Sequence, residues 1–517
     1  MGVEQPASDV PAMRPEGTPP RDATGVPGLD MVLGGGLPRG ALSLVVGPPG
    51  SGKTTLAVQM AFTAAQAGRR ALILTALSEP SDKLIRHLRT LRFFNQELVG
   101  DTVQILSLGQ FLKEGLAVTT DALVDATRRL RADLVVLDGF RGIRGVASVP
   151  HESRQFLYDV GGRLNVLGAS VIVTSEADAR DSSLYPEATT ADVIIGLFFN
   201  LTGVRQRRGL EALKVRGASP LPGLHSLVLD QQGTTVYPRL EAYAVPQGTE
   251  GFNYDDARAE ILATNPVTRA RVPLGLPELD AMLGGGLTVG TRTLVRGRVG
   301  TGKTLLGLQF ALGGTPDDGP ALYLSMRESP AEIAQKADAF AIGPALRAAV
   351  EAGNLIMLRL PPVEVDPDRL VGELLGAIER TRAKRLVIDS IAEVERAVTE
   401  RDPGRLSGYL AALVEALRAR EITSLFTKES RQAESGAADY TEDPLAVLAE
   451  NVILLRQVER RSRQRRVLAV LKMGFSDYDT TLREFTIAAP EGIRVLAPLE
   501  GDRELLDDVA RASEGPA

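Results

Sequence analysis

The sequence predicts an α/β fold in two tandem copies, each a mainly parallel sheet that ends in antiparallel strands. Similar segments, such as Gly34–Leu37 and Gly284–Leu287, recur about 250 positions apart along the 517 residues. Apolar strand-like runs alternate with helical patterns in both halves, which is typical of a parallel sheet. Near the end of each half, strand patterns follow one another without a helix between them, which favours antiparallel pairing.

Composition limits the class of protein. The chain is too long for one ordinary hydrophobic core and suits two domains. The absence of cysteine excludes a disulfide framework and a thiolate metal site, and it fits a cytoplasmic location. No long uncharged apolar run could span a membrane, so we expect no membrane partner. The net charge of −6 lacks the positive surplus of a dedicated DNA-binding protein.

Changes in composition predict the domain boundaries. Residues 1–22 are rich in proline and small residues and have too little apolar content to bury, which predicts a disordered leader. The two domains are predicted over residues 23–245 and 272–498, with a linker over residues 246–271. The acidic residues 499–517 are predicted to form a frayed tail.

Each half contains a glycine-rich loop that ends in lysine and threonine, after an apolar strand and before a helical pattern. This is the context that a phosphate-binding loop requires. Glycine lets backbone N–H groups curl around phosphates, lysine neutralises charge, and threonine reaches Mg²⁺. We therefore predict two P-loop NTPase domains that bind a nucleoside triphosphate and Mg²⁺. The predicted nucleotide-binding residues are Gly47, Gly50, Ser51, Gly52, Lys53, Thr54 and Thr55 in the first half, and Gly297, Gly300, Thr301, Gly302, Lys303, Thr304 and Leu305 in the second.

The elements that follow each loop recur in the same order. A second apolar strand is predicted after the loop helix, then a strand that ends in aspartate, then another apolar strand. The aspartates are Asp138 and Asp389, and the alternative interpretation is an ordinary carboxylate at a strand end. Because each closes an unbroken apolar run and recurs in both halves, we predict that they hold Mg²⁺ together with Thr54 and Thr304.

These features together resemble the KaiC family of RecA-like ATPases over nearly all of residues 24–498. The specific markers are Thr24–Asp30, the two phosphate-binding loops, Ile388–Ser390 and Glu211–Gly217, which is similar to the family's Lys-x-Arg-Gly element. The resemblance implies tandem RecA-like domains in a homohexameric double ring, with ATP between neighbouring subunits. It also implies ATPase activity that serves a signalling switch or timer, with possible protein signalling partners.

In that family, the lysine and arginine of the Lys-x-Arg-Gly element act on the γ-phosphate of a neighbouring subunit. The first half has Lys214 and Arg216 at these positions, whereas the second keeps Lys472 but has Gly474 in place of the arginine. An arginine finger contributes roughly 10³ to 10⁵ in rate. The sequence therefore predicts slow turnover at the second site, where nearby Arg327 is a candidate substitute.

Hydrolysis also needs a carboxylate that orients or deprotonates the attacking water. Family members resemble one another in carrying two glutamates just after the second strand. The second half has Glu328 there, which is the candidate catalytic carboxylate, whereas the same register of the first half gives Leu77 and Ser78. Glu79 lies one position later, where it would face the other way unless the strand shifts. We therefore expect the first site to bind ATP and turn it over poorly.

The family's clock-type phosphoacceptors correspond here to Ala446 and Val447, which have no hydroxyl, while Tyr440 and Thr441 are out of register. This predicts no clock-type phosphorylation cycle and makes autokinase activity doubtful.

Arginines that precede the Lys-x-Arg-Gly strands could line a channel and touch nucleic acid. The acidic total favours ion pairs between subunits or a solvated turn instead. Two alternative functions stay open beside the switch: a RecA-like ATPase that handles DNA, and a scaffold held together by ATP without turnover. The arginines are Arg205, Arg207, Arg208, Arg460, Arg461, Arg463, Arg465 and Arg466.

Overall fold

The computed structural model divides into two compact units, one up to Tyr243 and one from Ala244. The predicted tail and most of the predicted leader and linker lie outside the described residues. The structure describes residues 20–75, 81–112, 115–147, 149–181, 186–202, 205–244, 270–314, 319–430, 443–460 and 463–498.

The first unit is built on a nine-stranded sheet with the order β11-β10-β9-β8-β3-β7-β6-β4-β5 and a separate β1-β2 pair. Strands β8, β3, β7, β6, β4 and β5 run parallel, and β8 to β11 pair antiparallel. The strands are β1 Arg21–Asp22, β2 Leu37–Pro38, β3 Leu42–Val46, β4 Ala71–Thr75, β5 Val103–Ser107, β6 Leu134–Leu137, β7 Ser170–Ser175, β8 Val193–Thr202, β9 Arg205–Val215, β10 His225–Asp230 and β11 Gly233–Tyr237. The α-helices are Leu29–Val32, Lys53–Gln66, Ser81–Leu88, Leu116–Leu130, Phe140–Val146, Pro150–Val166 and Leu240–Tyr243.

The second unit has a nine-stranded sheet with the order β16-β15-β17-β18-β14-β19-β20-β21-β22 and a separate β12-β13 pair. Its strands are β12 Arg271–Val272, β13 Leu287–Thr288, β14 Arg292–Gly297, β15 Ala321–Ser325, β16 Leu355–Arg359, β17 Arg385–Asp389, β18 Thr423–Glu429, β19 Asn451–Arg460, β20 Arg463–Lys472, β21 Arg483–Ala488 and β22 Gly492–Pro498. Its α-helices are Pro277–Met282, Lys303–Leu312, Pro330–Ala339, Gly343–Glu351, Pro367–Thr381, Ile391–Arg401, Leu406–Arg418 and Pro444–Leu448.

The two sheets match strand for strand, which confirms the predicted fold class of tandem, mainly parallel α/β units with terminal antiparallel strands. The sequence did not predict the edge strands β5 and β16. Four of the five residues in Val103–Ser107 are only partly buried. An edge strand covered mainly at one end shows neither a continuous apolar run nor a clean alternation, so periodicity does not identify it.

The loop strand of the first unit lies at the centre of its sheet. All five residues of β3 are buried, with Val45 in the hydrophobic core on one face and Leu44 and Val46 in the core on the other. A strand covered by helices on both faces reads as one apolar run. This burial fixes the carboxyl end of β3, and therefore the start of the phosphate-binding loop.

Two short strand pairs lie at the edges of the predicted domains. Arg21–Asp22, which the sequence placed in the leader, pairs with Leu37–Pro38. Arg271, placed at the end of the linker, starts β12 and donates to the carbonyls of Leu283 and Gly286. Two-residue strands carry no periodicity that a sequence could reveal. Among the described residues, no helix combines the length and apolar character needed to cross a membrane.

Candidate nucleotide-binding sites

Each glycine-rich loop joins a central strand to the start of a helix. Gly50 and Gly52 have φ angles of +76° and +104°, and Gly300 and Gly302 have +78° and +95°. Only glycine adopts these left-handed angles without strain. The helices begin at Lys53 and Lys303, so their N-terminal N–H groups face the loops. A helix N-terminus of this kind favours an anion. The other predicted loop residues, Ser51, Thr55, Thr301 and Leu305, lie in the same turns or the first helical turns.

The loop lysines lie folded over their own loops. The Lys53 Nζ donates to the carbonyls of Gly47 and Pro48 at 2.9 and 3.0 Å. Lys303 makes the two equivalent bonds at 2.7 and 2.8 Å. Each ammonium group is therefore held at the place where the loop would wrap a phosphate.

Burial lowers the pKa of Lys53, and the nearby carboxylates of Glu176 and Asp138 oppose that effect. Burial also lowers the pKa of Lys303, opposed by Glu429 and Asp389. Each loop lysine thus shares its surroundings with two acidic residues. One of the two is the predicted metal ligand, and the other was not predicted from the sequence.

The predicted metal ligands meet in both units. The Thr54 hydroxyl lies 3.0 Å from the nearer carboxylate oxygen of Asp138, and the Thr304 hydroxyl lies 2.9 Å from Asp389. A hydroxyl and a carboxylate side by side next to a phosphate-binding loop are the hard oxygen donors that Mg²⁺ takes together with phosphate oxygens. The residues therefore fit a magnesium–nucleotide complex. Within the described residues, no three His, Asp or Glu side chains form a separate metal cluster.

The second aspartate has an additional donor. The Tyr323 hydroxyl donates to Asp389 at 2.8 Å, and Thr427 donates to the other carboxylate oxygen. Tyr323 is fully buried, and burial together with Asp389 raises its pKa well above the usual value, so it stays a donor. In the first unit Asp138 accepts from Thr174, while the position matching Tyr323 is Ile73. A lone tyrosine in an apolar strand was the only sequence signal.

A cleft opens in front of each loop. The first has a volume of about 730 Å³ and includes Lys53, Thr54 and Asp138. The second has about 440 Å³ and includes Lys303, Thr304 and Asp389 among its lining residues. Both volumes lie in the range of roughly 300 to 1,000 Å³ that is typical of small-molecule sites.

Glu328, the candidate catalytic carboxylate, lines the second cleft. Its backbone N–H donates to the Ser325 hydroxyl at 3.2 Å, and one carboxylate oxygen accepts from Lys336. The other carboxylate oxygen is buried and has no hydrogen-bond partner among the described residues. The corresponding residues of the first half, 77–80, lie outside the described residues.

Arg327 also lines the second cleft. Its Nε donates to Glu393 at 2.6 Å and its Nη1 donates to Glu429 at 3.0 Å. The Glu393 side chain is only 4% exposed, whereas that of Arg327 is 54% exposed. The nearly buried carboxylate of Glu393 therefore holds the Arg327 guanidinium at the wall of the cleft.

Sequence reasoning missed Glu176 and Glu429, which occupy matching positions in the two units. Glu429 ends β18 level with Gly297, and Glu176 directly follows β7, whose Ser175 is level with Val46. Both glutamates line the clefts. The available signal was that the strand after the predicted metal carboxylate is followed by glutamate in both halves.

The predicted Lys-x-Arg-Gly residues do not reach the cleft of their own unit. The Lys214 Nζ donates to the carbonyl of Ala188 at 3.3 Å, and Arg216 pairs with Asp192 at 3.0 Å. Burial lowers the pKa of Lys214. As far as the described residues define it, the first cleft includes neither side chain.

Lys472 is held in a comparable way in the second unit. Its Nζ donates to the carbonyls of Ala446, Val447 and Ala449 at 3.3, 3.1 and 2.6 Å. Burial lowers its pKa as well. Lys472 is also missing from the described lining of the second cleft. The structure therefore brings the loops and metal carboxylates together, but not the three predicted finger residues.

One arginine of each basic cluster contacts a phosphate-binding loop. Arg208 donates to the carbonyl of Gly50 at 3.3 and 3.4 Å, and Arg466 donates to that of Gly300 at 3.4 Å. Arg208 also lies over the ring of Phe199, 5.6 Å from its centroid. Arg208 and Arg466 therefore lie next to the phosphate-binding loops of their units. Arg461, another member of the second cluster, lies outside the described residues.

Comparison with known proteins agrees with this arrangement. A sequence model of the KaiC ATPase family matches residues 23–241 and 272–500. The chain is 27% identical to the circadian clock oscillator protein KaiC 1 of Synechocystis sp., over 90% of this chain and 87% of the relative. It is 26% identical to the circadian clock protein KaiC3 of the same organism, over 90% and 89%. It is also 26% identical to the circadian clock oscillator protein KaiC of Synechococcus elongatus, over 90% and 87%. Because the family match spans both units, the chain belongs to the KaiC family of RecA-like ATPases.

Proposed function

We propose that this protein binds Mg-ATP at both loops, hydrolyses it slowly, and acts as a signalling switch or timer whose state depends on the bound nucleotide. The supporting observation is that a folded-over loop lysine and a threonine–aspartate pair stand beside a cleft in each unit. The alternatives are a RecA-like ATPase that handles DNA and a scaffold stapled by ATP without turnover.

The chain's own residues divide the work of binding. The glycine loops and the helix N-termini offer N–H groups to the phosphates, and Lys53 and Lys303 neutralise their charge. Thr54 with Asp138, and Thr304 with Asp389, would hold Mg²⁺, which offsets charge on the phosphate oxygens when bound. A RecA-like loop approaches the phosphates from one side, so further cations have to come from elsewhere.

We propose that a neighbouring subunit supplies those cations. Lys214, Arg216 and Lys472 lie away from their own clefts, so they would serve the nucleotide of a neighbour in a homohexamer by exchanging their present partners for its phosphates. A site that a neighbour completes makes assembly depend on nucleotide, by mass action. Size-exclusion chromatography with and without Mg-ATP tests this. A monomer under both conditions would contradict the oligomeric proposal.

We expect slow ATP hydrolysis because each site lacks one of the residues that hydrolysis needs. In the second site we propose Glu328 as the catalytic carboxylate, with Lys472 as a finger and Gly474 in place of the finger arginine. Arg327 is the candidate substitute, since it already faces the cleft. The first site has both finger residues but has Leu77 and Ser78 in the register where the second has its catalytic carboxylate.

The proposal excludes the clock-type phosphorylation cycle. Ala446 and Val447 lie in the short helix Pro444–Leu448 and offer no hydroxyl, and Tyr440 and Thr441 lie outside the described residues. We expect intact-mass spectra to stay unchanged after incubation with Mg-ATP. A time-dependent gain of phosphate in the second unit would contradict this expectation.

A steady-state ATPase assay of the wild type and Glu328→Gln tests the enzymatic proposal. Removing a group that moves a proton costs about 10² to 10⁴ in rate, so Glu328→Gln should abolish the share of turnover that belongs to the second site. Glu379→Gln, which removes a surface carboxylate paired with Arg420, is the matched control. Stimulation by single-stranded DNA that falls steeply with salt would favour the DNA-handling alternative. No turnover in the wild type would favour the scaffold.

A further inference from the structure

The two clefts carry a glutamate at the same structural position with different neighbours. Glu429 is bound by Arg327, and the same arginine is anchored on the nearly buried Glu393. Glu176 is bound by Arg141 at 3.2 Å, and the Arg141 side chain is 78% exposed. The second-unit glutamate is therefore tied into a network, while the first-unit glutamate has a partner on the surface.

This difference decides how easily each carboxylate becomes available. An exposed ion pair contributes little to stability, so Arg141 can exchange Glu176 for a phosphate oxygen at little cost. Arg327 is fixed by two carboxylates, one of them nearly buried, and breaking a pair with a nearly buried carboxylate costs more than breaking an exposed pair. Glu429 therefore stays paired with Arg327, whereas Glu176 can be released from Arg141.

Glu176 also lies where a water-directing group is needed. It follows β7, the strand beside the loop strand β3, and the N–H of Gly47 donates to the carbonyl of Ser175 at 3.2 Å. It lines the same cleft as Lys53, Thr54 and Asp138. The γ-phosphate of a nucleotide held by Lys53 would lie among these residues.

We propose that Glu176 is the catalytic carboxylate of the first site, so that the two units take this group from different strands. The inference rests on the proposed ATPase function and revises the expectation that the first site turns over poorly. Asp138 accepts hydrogen bonds from Thr54 and Thr174 and is the proposed metal ligand. Glu176 is the other acidic side chain in the described lining of that cleft.

The chemical step is direct. The Glu176 carboxylate accepts a proton from water as the water oxygen bonds to the γ-phosphorus. The bond between that phosphorus and the bridging oxygen of ADP breaks at the same time, and ADP leaves with the electron pair. Arg141, freed from Glu176, neutralises charge on the γ-phosphate. The proton then passes from Glu176 to the departing phosphate or to solvent.

The test uses the full-length Glu328→Gln protein, in which the remaining turnover reports the first site. In that background, Glu176→Gln should lower the remaining turnover by about 10² to 10⁴-fold. Glu79→Gln tests the rival carboxylate, and Asp121→Asn removes an exposed carboxylate paired with Arg163. We expect both variants to stay within about twofold of the background. For Asp121→Asn this is the small effect of removing an exposed charge. Retained nucleotide at both loops, measured after gel filtration in Mg-ATP, shows that each variant is folded.

Each outcome decides the inference. Unchanged turnover in Glu176→Gln overturns it, and loss of turnover in Glu79→Gln assigns the role to Glu79 instead. If Glu328→Gln alone removes all turnover, the first site is inactive and the inference fails, while the proposed ATPase function stands. If the wild type does not hydrolyse ATP, the proposed function fails and Glu176 has no catalytic role.

Discussion

The first cleft and the second cleft share their binding parts and differ in the parts that would cleave ATP. Both have a loop lysine, a threonine and an aspartate in nearly the same geometry. The second aspartate accepts a hydrogen bond from Tyr323, where the first unit has isoleucine. The strand-end glutamate is paired with Arg141 in the first cleft and with Arg327 in the second. The finger arginine Arg216 of the first unit is replaced by Gly474 in the second. The two units are therefore more alike at the loop and its aspartate than in the residues around them, since the loop with its lysine and threonine is one contiguous segment.

Removing the loop lysines tests whether both units bind nucleotide in the same way, and it has the largest expected effect on nucleotide binding. We expect Lys53→Ala and Lys303→Ala each to lose the nucleotide of one unit, because an uncompensated triphosphate at the loop is electrostatically unfavourable. Nucleotide content after purification in Mg-ATP should therefore fall to about half of the wild-type value in each variant, by mass action. Full content in either variant would show that its unit does not bind through this loop.

Restoring the missing arginine tests whether the second unit lost rate through that single position. Gly474→Arg should raise its turnover about tenfold or more, which is a small part of the roughly 10³ to 10⁵ that arginine fingers supply. A Cβ at this position would lie 3.1 Å from the Cβ of Glu450, so the neighbour must shift slightly. The assay is ATPase rate in the Glu176→Gln background. Gly474→Met controls for bulk without charge, and an equal rise in both would refute the charge argument.

The two cleft arginines should differ in their contribution to stability, which is the smallest of the expected effects. Arg327→Met removes the cation from the nearly buried Glu393, which keeps the hydrogen bond donated by the Ser390 hydroxyl. We expect the free energy of unfolding to fall by about 2 kcal/mol, below the roughly 3 to 5 of a fully buried pair because Arg327 is half exposed. Arg141→Met breaks an exposed pair and should cost less than about 1 kcal/mol.

Thermal unfolding of the full chain, followed for both variants under the same conditions, checks this difference. A loss of about 1 kcal/mol corresponds to roughly 2 to 4 °C in a unit of this size. Equal shifts for the two variants would mean that the pair in the second cleft is no more tightly built than the pair in the first. The distinction between Glu176 and Glu429 would then lose its physical basis.

Much of the fold was predictable because its signals are local. The strand Leu42–Val46 is apolar at every position except Ser43, because it is buried on both faces. The antiparallel strands are recognised because they follow one another without a helix between them. The edge strand Val103–Ser107 and the pair formed by Arg21–Asp22 were missed. Their pairing partners, not their own side-chain pattern, hold them in the sheet.

The sequence by itself determined the repeat, the two phosphate-binding loops and the aspartates that face them. Each of these is a contiguous motif or the end of an apolar run, so its chemistry is legible along the chain. Only the tertiary structure decided that Glu176 stands beside Lys53, that Tyr323 donates to Asp389, and that Lys472 stays away from its own loop. Those contacts depend on which strands are neighbours in the sheet, and strand order joins residues that are far apart in the chain.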